Sequence, residues 1–267
     1  MTSSDLAGFI GKNRLLRRLV YAAVHVTTLR EWYLTKALRQ VLMGRRAFRF
    51  LDAGCGMGQH AVRIAGKYPD ARVTAVDADE KQIDDCRDFA AQSGLHNLDF
   101  RAVRLDDAGF DDTFDVILCS SVLEHIEADD DVLSTFYRTM APGGSLVVYV
   151  PVSEKRVLRS LEKKINKMTR QANAELPHDH VRYYKPDELR GKIERAGFCI
   201  VNSRNTYGRF GRWSYDLVTT VQYSRYAKLI FPFYLLFVHP WVMMLMWLDT
   251  QVNIKEGNGL LIIAEKK

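Results

Sequence analysis

Three kinds of signal are missing from this 267-residue chain. Its four cysteines form no Cys-x-x-Cys pair, which argues against a disulfide framework or a zinc site and favours a reduced, cytoplasmic protein. Residues 1–11 lack a charged start followed by an apolar core, so we expect no signal peptide there. No internal repeat or low-complexity tract is visible. With 47 % apolar and 26 % charged residues, the composition is that of a globular protein.

Acidic residues are scarce in the first part of the chain. Residues 1–46 carry nine Lys or Arg against Asp5 and Glu31, whereas the whole chain has a net charge of +6, so the remainder is close to neutral. A second basic run lies at 155–170. Such faces bind nucleic acid, anionic lipid or acidic substrates, and a solvated helix face explains either run equally well.

Hydrophobic spacing predicts helices first and then an α/β fold. Apolar residues at helical spacing over 13–43 indicate one or two amphipathic helices that end near Gly44. Beyond them, short β-rich runs alternate with helical stretches, which is typical of a mainly parallel sheet covered on both faces. The predicted strands are Phe48–Asp52, Arg72–Asp77, Asp99–Arg104, Phe114–Cys119, Ser145–Val150, Phe198–Asn205 and Gly259–Ala264, and the predicted helices are His60–Lys67, Glu80–Ser93, Asp129–Met140 and Pro186–Ala196.

Two insertions interrupt this alternation, at 152–180 and 206–258. The second contains Leu229–Leu248, which is long and apolar enough to span a membrane. A span would place the last strand across the bilayer from its own sheet, and Pro232 and Pro240 interrupt a single helix. We therefore predict a helical hairpin or lid broken at His239-Pro240. Because both insertions leave the carboxyl ends of parallel strands, we expect them to form a substrate cap.

A glycine-rich turn follows the first strand, in the sequence Asp52-Ala-Gly54-Cys-Gly56-Met-Gly58. Glycine permits a tight turn and lets a ligand approach the backbone. The spacing is GxGxG rather than the GxGxxG of dinucleotide enzymes, and a carboxylate beside the loop suits a cationic amino-acid ligand better than a pyrophosphate. Asp77, at the end of the second strand, is placed to accept the hydroxyls of a ribose.

These motifs resemble those of the class I S-adenosylmethionine-dependent methyltransferases, in particular the methyltransferase-domain group that includes quinone-biosynthesis enzymes. The matching pieces between residues 48 and 151 are LDAGCGMG, VTAVDAD, FDVILCSSVLEHI and MAPGGSLVVYVP. The resemblance implies a Rossmann-like, seven-stranded, mainly parallel sheet whose last strand is antiparallel. It also implies a methyltransferase domain over 47–267, preceded by the helices of 1–46, with S-adenosylmethionine as cofactor.

By position, the resemblance assigns roles within the cofactor site. The Gly54–Gly58 backbone, including Cys55 and Gly56, cradles the methionine part, and Asp52 lies near its amino group. Asp77 holds the ribose, with Ala78 beside the adenine, and Ser120 and Val122 flank the sulfonium. The acidic residue common after the third strand is replaced by Arg104, so Asp106 or the backbone around Leu105 takes the adenine edge.

An oxygen or nitrogen acceptor also needs a base, for which the candidates are His180, His125 and Glu124. The fragment His178-Asp179-His180 looks like part of a metal site, but no second cluster supports it, so we expect no metal. The aromatic second insertion and the basic runs favour a small-molecule or lipid-like acceptor, reached by peripheral contact with the inner membrane face. The same hydrophobic segment also fits packed core or an interface between copies.

Other functions stay open at this point. Cys119-Ser120-Ser121 stands where base-flipping methyltransferases often carry a DPPY- or NPPF-like loop, which argues against a nucleic-acid substrate. A non-catalytic cofactor-binding or membrane-associated regulatory domain is one alternative, and methylation of a soluble natural product or sugar is another. The sequence identifies neither the acceptor atom nor the oligomeric state.

Overall fold

The computed structural model describes residues 13–107, 109–110, 112–152, 182–222 and 233–267. Within these residues a seven-stranded sheet has the order β3-β2-β1-β4-β5-β7-β6. Strand β7 runs antiparallel to both β5 and β6, and the other neighbouring pairs are parallel. This confirms the predicted fold class. The strands are β1 (Arg49–Ala53), β2 (Arg72–Asp77), β3 (Leu98–Ala102), β4 (Phe114–Ser120), β5 (Met140–Pro151), β6 (Cys199–Thr206) and β7 (Gly259–Glu265).

Helices cover both faces of this sheet, and the six helices outside the second insertion lie where the helical spacing predicts helices. They are α1 (Arg14–Thr27), α2 (Leu29–Val41), α3 (Gln59–Lys67), α4 (Glu80–Gln92), α5 (Asp129–Thr139), α6 (Pro186–Arg195), α7 (Arg209–Gln222) and α8 (His239–Gln251). Asn13 and Asp79 accept hydrogen bonds from the first turns of α1 and α4, which explains where those helices begin.

Alternating side chains of the strands separate the core into two layers. Val116 and Leu118 of β4 pack with α2, α3, α4 and α8, whereas Ile117 and Cys119 pack with α5 and α6. Because successive residues of a strand point to opposite faces, a strand buried on both sides reads as an unbroken apolar run. The sheet is therefore covered on both faces.

Strand β5 begins earlier than the sequence predicts. Its pairing with β4 starts at Met140, opposite Phe114, and resumes at Ser145, opposite Val116. The intervening residues loop out as a bulge that contains Gly143 in the left-handed region, with φ of 74°. Residues 141–144, which precede the predicted start of the strand at Ser145, therefore lie within β5.

The amino-terminal region forms two helices of opposite character. Helix α2 buries Leu29, Tyr33 and Leu34 against the sheet and belongs to the core. Helix α1 instead exposes Leu15 and Leu19 and buries Arg17. Amphipathic spacing thus predicts both helices, but in α1 the buried side chain is the arginine and the exposed ones are leucines.

The second insertion does not break at His239-Pro240, so that prediction is wrong. A π-helical turn, Tyr234–Val238, runs directly into α8, and Pro240 lies in the first turn of that helix. The His239 N–H donates to the Tyr234 carbonyl five residues earlier. Proline disrupts the i→i−4 hydrogen bonds of the turn that precedes it. The π-helical turn replaces them with i→i−5 bonds, so the helix continues and the chain does not reverse.

Asp249 fastens this insertion to the core. Its fully buried carboxylate accepts the Gly211 N–H at 2.7 Å and the Tyr33 hydroxyl at 2.9 Å. The first bond joins α8 to α7, and the second joins α8 to α2. The insertion is thus packed over α2. No helix in the described part of the chain combines the length and the apolar content that crossing a bilayer requires.

Candidate functional site

A cavity of about 580 Å³ opens at the carboxyl ends of β1, β2 and β4. Its wall combines the glycine-rich turn after β1, the end of β2, the segment after β3 and the loop after β4. Ligands of open α/β sheets bind at this end of the strands. The volume lies in the range of cofactor and small-molecule sites.

Steric contacts explain two of the three glycines in the turn. A Cβ atom on Gly54 would lie 2.2 Å from Cγ2 of Val122, and one on Gly58 would lie 2.8 Å from the Phe100 ring. Gly54, Gly56 and Gly58 also have φ values of 75°, 52° and 75°, which side chains rarely adopt. The turn therefore requires glycine for its conformation, and at Gly54 and Gly58 also for close packing against the loop after β4 and against β3.

Hydrogen bonds hold the turn against the end of β2. The N–H groups of Gly54 and Cys55 both donate to the Val76 carbonyl, at 2.8 and 2.9 Å. The Asp77 carboxylate accepts the Gly56 N–H at 2.8 Å with one oxygen and the Asp79 N–H at 3.1 Å with the other. Each oxygen keeps lone-pair capacity for a further donor, so this side chain can still accept two hydroxyls.

Asp52 presents a buried carboxyl group to the same cavity. One of its oxygens accepts the Ala61 N–H, near the start of α3, at 3.0 Å. Burial raises the pKa of Asp52 to about 7, although the bond from Ala61 opposes the shift. A ligand ammonium beside this group would favour its ionised form.

These features fit an S-adenosyl ligand. A Cβ on Gly56 would meet only a Gln82 oxygen, at 3.8 Å, so the backbone there faces open space. Asp77 offers acceptors for ribose hydroxyls, and Asp52 offers a counter-charge for an amino group. The residues that would hold the cofactor are thus already arranged around one cavity.

The structure brings most of the predicted site residues to this wall, although their roles in binding stay predictions. Gly58 lies behind the wall, against Phe100. Glu124 is fully buried but does not line the cavity, and His180 falls outside the described residues, as does the rest of His178-Asp179-His180. On the wall are Asp52, Gly54, Cys55, Gly56, Asp77, Ala78, Leu105, Asp106, Ser120, Val122 and His125.

Sequence reasoning missed Arg30, which is a wall residue contributed by α2. Its Nη1 donates to the Ser121 hydroxyl at 3.0 Å, and its backbone N–H donates to the Tyr207 hydroxyl at 3.0 Å. Ser121 and Tyr207 are the two described non-glycine residues with positive φ. Strained backbone of this kind concentrates at functional sites. Arg30 bonds to both positions, and one of them, Ser121, lies on the cavity wall. No motif signals it, since it lies far from the glycines in the chain.

The two candidate bases after β4 differ in position. Both belong to the short 3₁₀ turn Leu123–His125, but His125 lines the cavity, whereas Glu124 is fully buried and does not. Burial raises the pKa of Glu124 to about 7, and neither carboxyl oxygen has a hydrogen-bond partner among the described residues. His125 is therefore the described candidate that can reach an acceptor. Within the same part of the chain, no group of three His, Cys, Asp or Glu residues is arranged to hold a metal ion.

Comparison with known sequences gives a consistent family. A family model described as a methyltransferase domain matches residues 45–197. The ubiquinone biosynthesis O-methyltransferase of Caulobacter sp. (strain K31) is 32 % identical over 197 residues, which is 67 % of this chain and 73 % of the relative. The protein of the same name from Sinorhizobium fredii (strain NBRC 101917 / NGR234) is 29 % identical over 191 residues, which is 68 % of this chain and 73 % of the relative.

Among solved structures, the fold resembles that of a phosphoethanolamine N-methyltransferase 2 from Haemonchus contortus, in complex with S-adenosyl-L-methionine. The TM-score is 0.59 at 17 % identity, and the match covers 88 % of this chain and 52 % of the other. At this identity the likeness concerns the fold alone.

The contact of Gly54 with Val122 leads to a first prediction. Gly54→Ala should weaken binding of S-adenosylhomocysteine, the demethylated cofactor, by at least about tenfold, since the added methyl pushes Val122 and opens the turn. The double variant Gly54→Ala/Val122→Ala should recover part of the affinity. Titration calorimetry measures both.

Gly143→Ala is the matched control for this substitution. Gly143 has nearly the same φ, 74°, but no atom within 4 Å of an added Cβ, so this variant carries the conformational cost alone. It should lose about 1 kcal/mol of stability and bind normally. Wild-type affinity in folded Gly54→Ala would contradict the assigned role of the contact.

The burial of Asp52 leads to a second prediction, on pH. If the ammonium of S-adenosylhomocysteine pairs with ionised Asp52, binding below pH 7 must release the proton that burial retains. The dissociation constant should therefore rise about tenfold between pH 8 and pH 6 and level off above pH 8. Asp52→Asn should bind more weakly and with a flat profile over this range. The same slope in both proteins would show that another group is responsible.

Proposed function

The chain belongs to the class I S-adenosylmethionine-dependent methyltransferases, and from this premise we propose that it methylates a small, lipid-like acceptor at a membrane surface. The observation that carries the transfer is a shared cavity, whose wall joins Asp52, Gly56 and Asp77 to His125 after β4. The groups for the methyl donor and a candidate base thus line the same cavity. A domain that only binds the cofactor would not require a base there.

When bound, the cofactor supplies a methyl group already activated by its sulfonium. The residues of this chain then contribute alignment and a proton acceptor. Asp77 and the glycine turn fix the donor end, and Val122 packs against the turn where the loop after β4 begins. His125 stands on the wall as the group that takes a proton from an acceptor hydroxyl. The relatives are named as O-methyltransferases of ubiquinone biosynthesis, which supports an oxygen acceptor attached to an apolar body.

An exposed apolar surface supports the membrane part of the proposal. We call it the apolar face; Trp241 alone is 63 % exposed, and its other large members are also accessible. They recur at helical spacing along the π turn and α8, so they lie on one side. Aromatic side chains of this kind lie at the membrane–water boundary, and the chain's positive charge favours anionic lipid. The members are Phe233, Leu236, Phe237, Trp241, Met244 and Trp247.

The membrane proposal replaces part of the predicted cap. No described residue of 206–258 lines the cavity. The segment touches the site through the Tyr207 hydroxyl, which holds the Arg30 backbone. We therefore infer that its described part positions the cavity relative to a surface.

Transfer to a lipid-like acceptor is tested by incubating purified protein with cell extract and cofactor labelled at the methyl group. Label should enter the organic phase with wild type and not with Asp77→Ala, which loses the ribose acceptor. Label in an aqueous small-molecule fraction would instead favour a soluble natural product or sugar. Normal binding of S-adenosylhomocysteine with no label in any fraction would favour the non-catalytic alternative.

The apolar face is tested by flotation with vesicles of phosphatidylglycerol or phosphatidylcholine. Wild type should float with the anionic vesicles, and Phe237→Ser/Trp241→Ser should lose at least about tenfold in partitioning, as two aromatic side chains no longer insert. Met43→Ser is the control, because Met43 is also exposed but lies outside the face. A wild-type protein that stays in solution, and whose mass falls from dimer to monomer in the double variant, would assign the face to self-association instead.

A further inference from the structure

Helix α1 is inverted relative to an ordinary surface helix. Arg17 is 2 % exposed, whereas Leu15 and Leu19 on the same helix are 69 % and 59 % exposed. Burying a guanidinium is costly unless its donors are satisfied. The contacts of Arg17 therefore decide what holds α1 in place.

The Arg17 guanidinium is hydrogen-bonded to the cofactor turn, to α4 and to Tyr21 of its own helix. Its Nη2 donates to the Met57 carbonyl at 2.9 Å and to the Cys86 sulfur at 2.8 Å. Its Nη1 donates to the Asp85 carbonyl at 2.7 Å, and its Nε donates to the Tyr21 hydroxyl at 2.7 Å. The group also lies 4.9 Å from the Phe89 ring centre. One side chain of α1 thus joins the turn after β1 to α4.

The Met57 carbonyl is the centre of this arrangement. It accepts hydrogen bonds from both Arg17 and the Tyr21 hydroxyl, while Met57 itself lines the cavity between two glycines. On the other side of the turn, Asp77 holds the Gly56 N–H. A segment with three glycines has much conformational freedom to lose. Two fixed points, one inside the cavity and one behind it, define the orientation of the peptide groups between them.

We propose that Arg17, assisted by Tyr21, is a positioning residue for the cofactor turn. Neither side chain lines the cavity, so their effect passes through the Met57 peptide. By bonding this carbonyl from behind, they keep the turn in the conformation that accepts the cofactor. Helix α1 is then a part of the cofactor site, and its loss affects the affinity for the donor more than the transfer step.

The test compares Arg17→Met, which keeps an unbranched apolar stem, with Arg17→Lys and Tyr21→Phe. In Arg17→Met the KM for S-adenosylmethionine and the dissociation constant for S-adenosylhomocysteine should each rise about tenfold, because the charge-assisted hydrogen bond to the Met57 carbonyl is lost. The kcat at saturating cofactor should stay within about twofold. Arg17→Lys and Tyr21→Phe should show smaller rises. Arg18→Met, an exposed neighbour on α1, should match wild type.

A second readout separates positioning from general stability. Cys86 lies under Arg17 and beside the turn, so loosening of the turn should expose its thiol. In a Cys199→Ser background, maleimide should modify Cys86 faster in the Arg17 and Tyr21 variants, and S-adenosylhomocysteine should suppress the increase. If Arg17→Met fails to fold, Tyr21→Phe carries both measurements. Unchanged cofactor affinity in a folded variant, or a loss in kcat as large as the loss in affinity, would overturn the proposal. If the wild-type protein does not bind S-adenosylhomocysteine, the assignment of the cofactor site itself is wrong.

Discussion

The site depends on the close approach of Gly54 to Val122, which joins the ends of β1 and β4. A side chain at Gly54 would occupy the space of the valine, so the two strand ends can meet only where β1 ends in bare backbone. The Val76 carbonyl and the Asp77 carboxylate then bind the same turn to β2. Three neighbouring strand ends are thus joined by one turn of chain. The wall groups have fixed positions before a ligand arrives, which lowers the entropic cost of binding.

The amino-terminal helices extend this scaffold. In α2, Glu31 accepts a hydrogen bond from Gln59 at 3.2 Å and lies 3.5 Å from His60, the residues that open α3 directly after the turn. Burial, reinforced by Arg63, lowers the pKa of His60 well below its ordinary value, so the imidazole is neutral and the contact with Glu31 is not an ion pair. Polar contacts therefore dock α2 on α3, and the same helix brings Arg30 to the cavity. The region predicted as separate helices is structurally part of the site.

Local patterns predicted most of the fold, because β-rich runs, helical spacing and the glycine turn are each set by residues close together in the chain. Within the wall, the residues themselves indicated the glycine turn, Asp52 and Asp77, and the family resemblance supplied the other positions. The prediction failed where a group's partner lies far away in sequence. From the sequence alone Arg17 is expected to be solvated, because its contact with Met57, 40 residues away, is seen only in the structure. Arg30 belongs to no sequence motif. Glu124 adjoins His125 in sequence, but only His125 lines the cavity, while Glu124 is buried. Pro240 predicts a break in the helix, yet a π-helical turn before it lets the helix continue. The sequence pattern is the same for a continuous helix of this kind and for a hairpin.

The link between the apolar face and the cavity is built from buried contacts. Helix α8 carries the face, Asp249 of α8 bonds Tyr33 of α2, and α2 contributes Arg30 to the wall. Coupling that switches a site requires an element with two discrete arrangements. Close-packed helices joined by buried hydrogen bonds favour a single arrangement. These contacts fix the position of the apolar face relative to the cavity and do not provide a switch between two states of the site. On the proposed membrane surface, the apolar face would hold the cavity mouth at a constant distance from the lipid, while the affinity for the donor is set separately, at the turn between Asp77 and Met57.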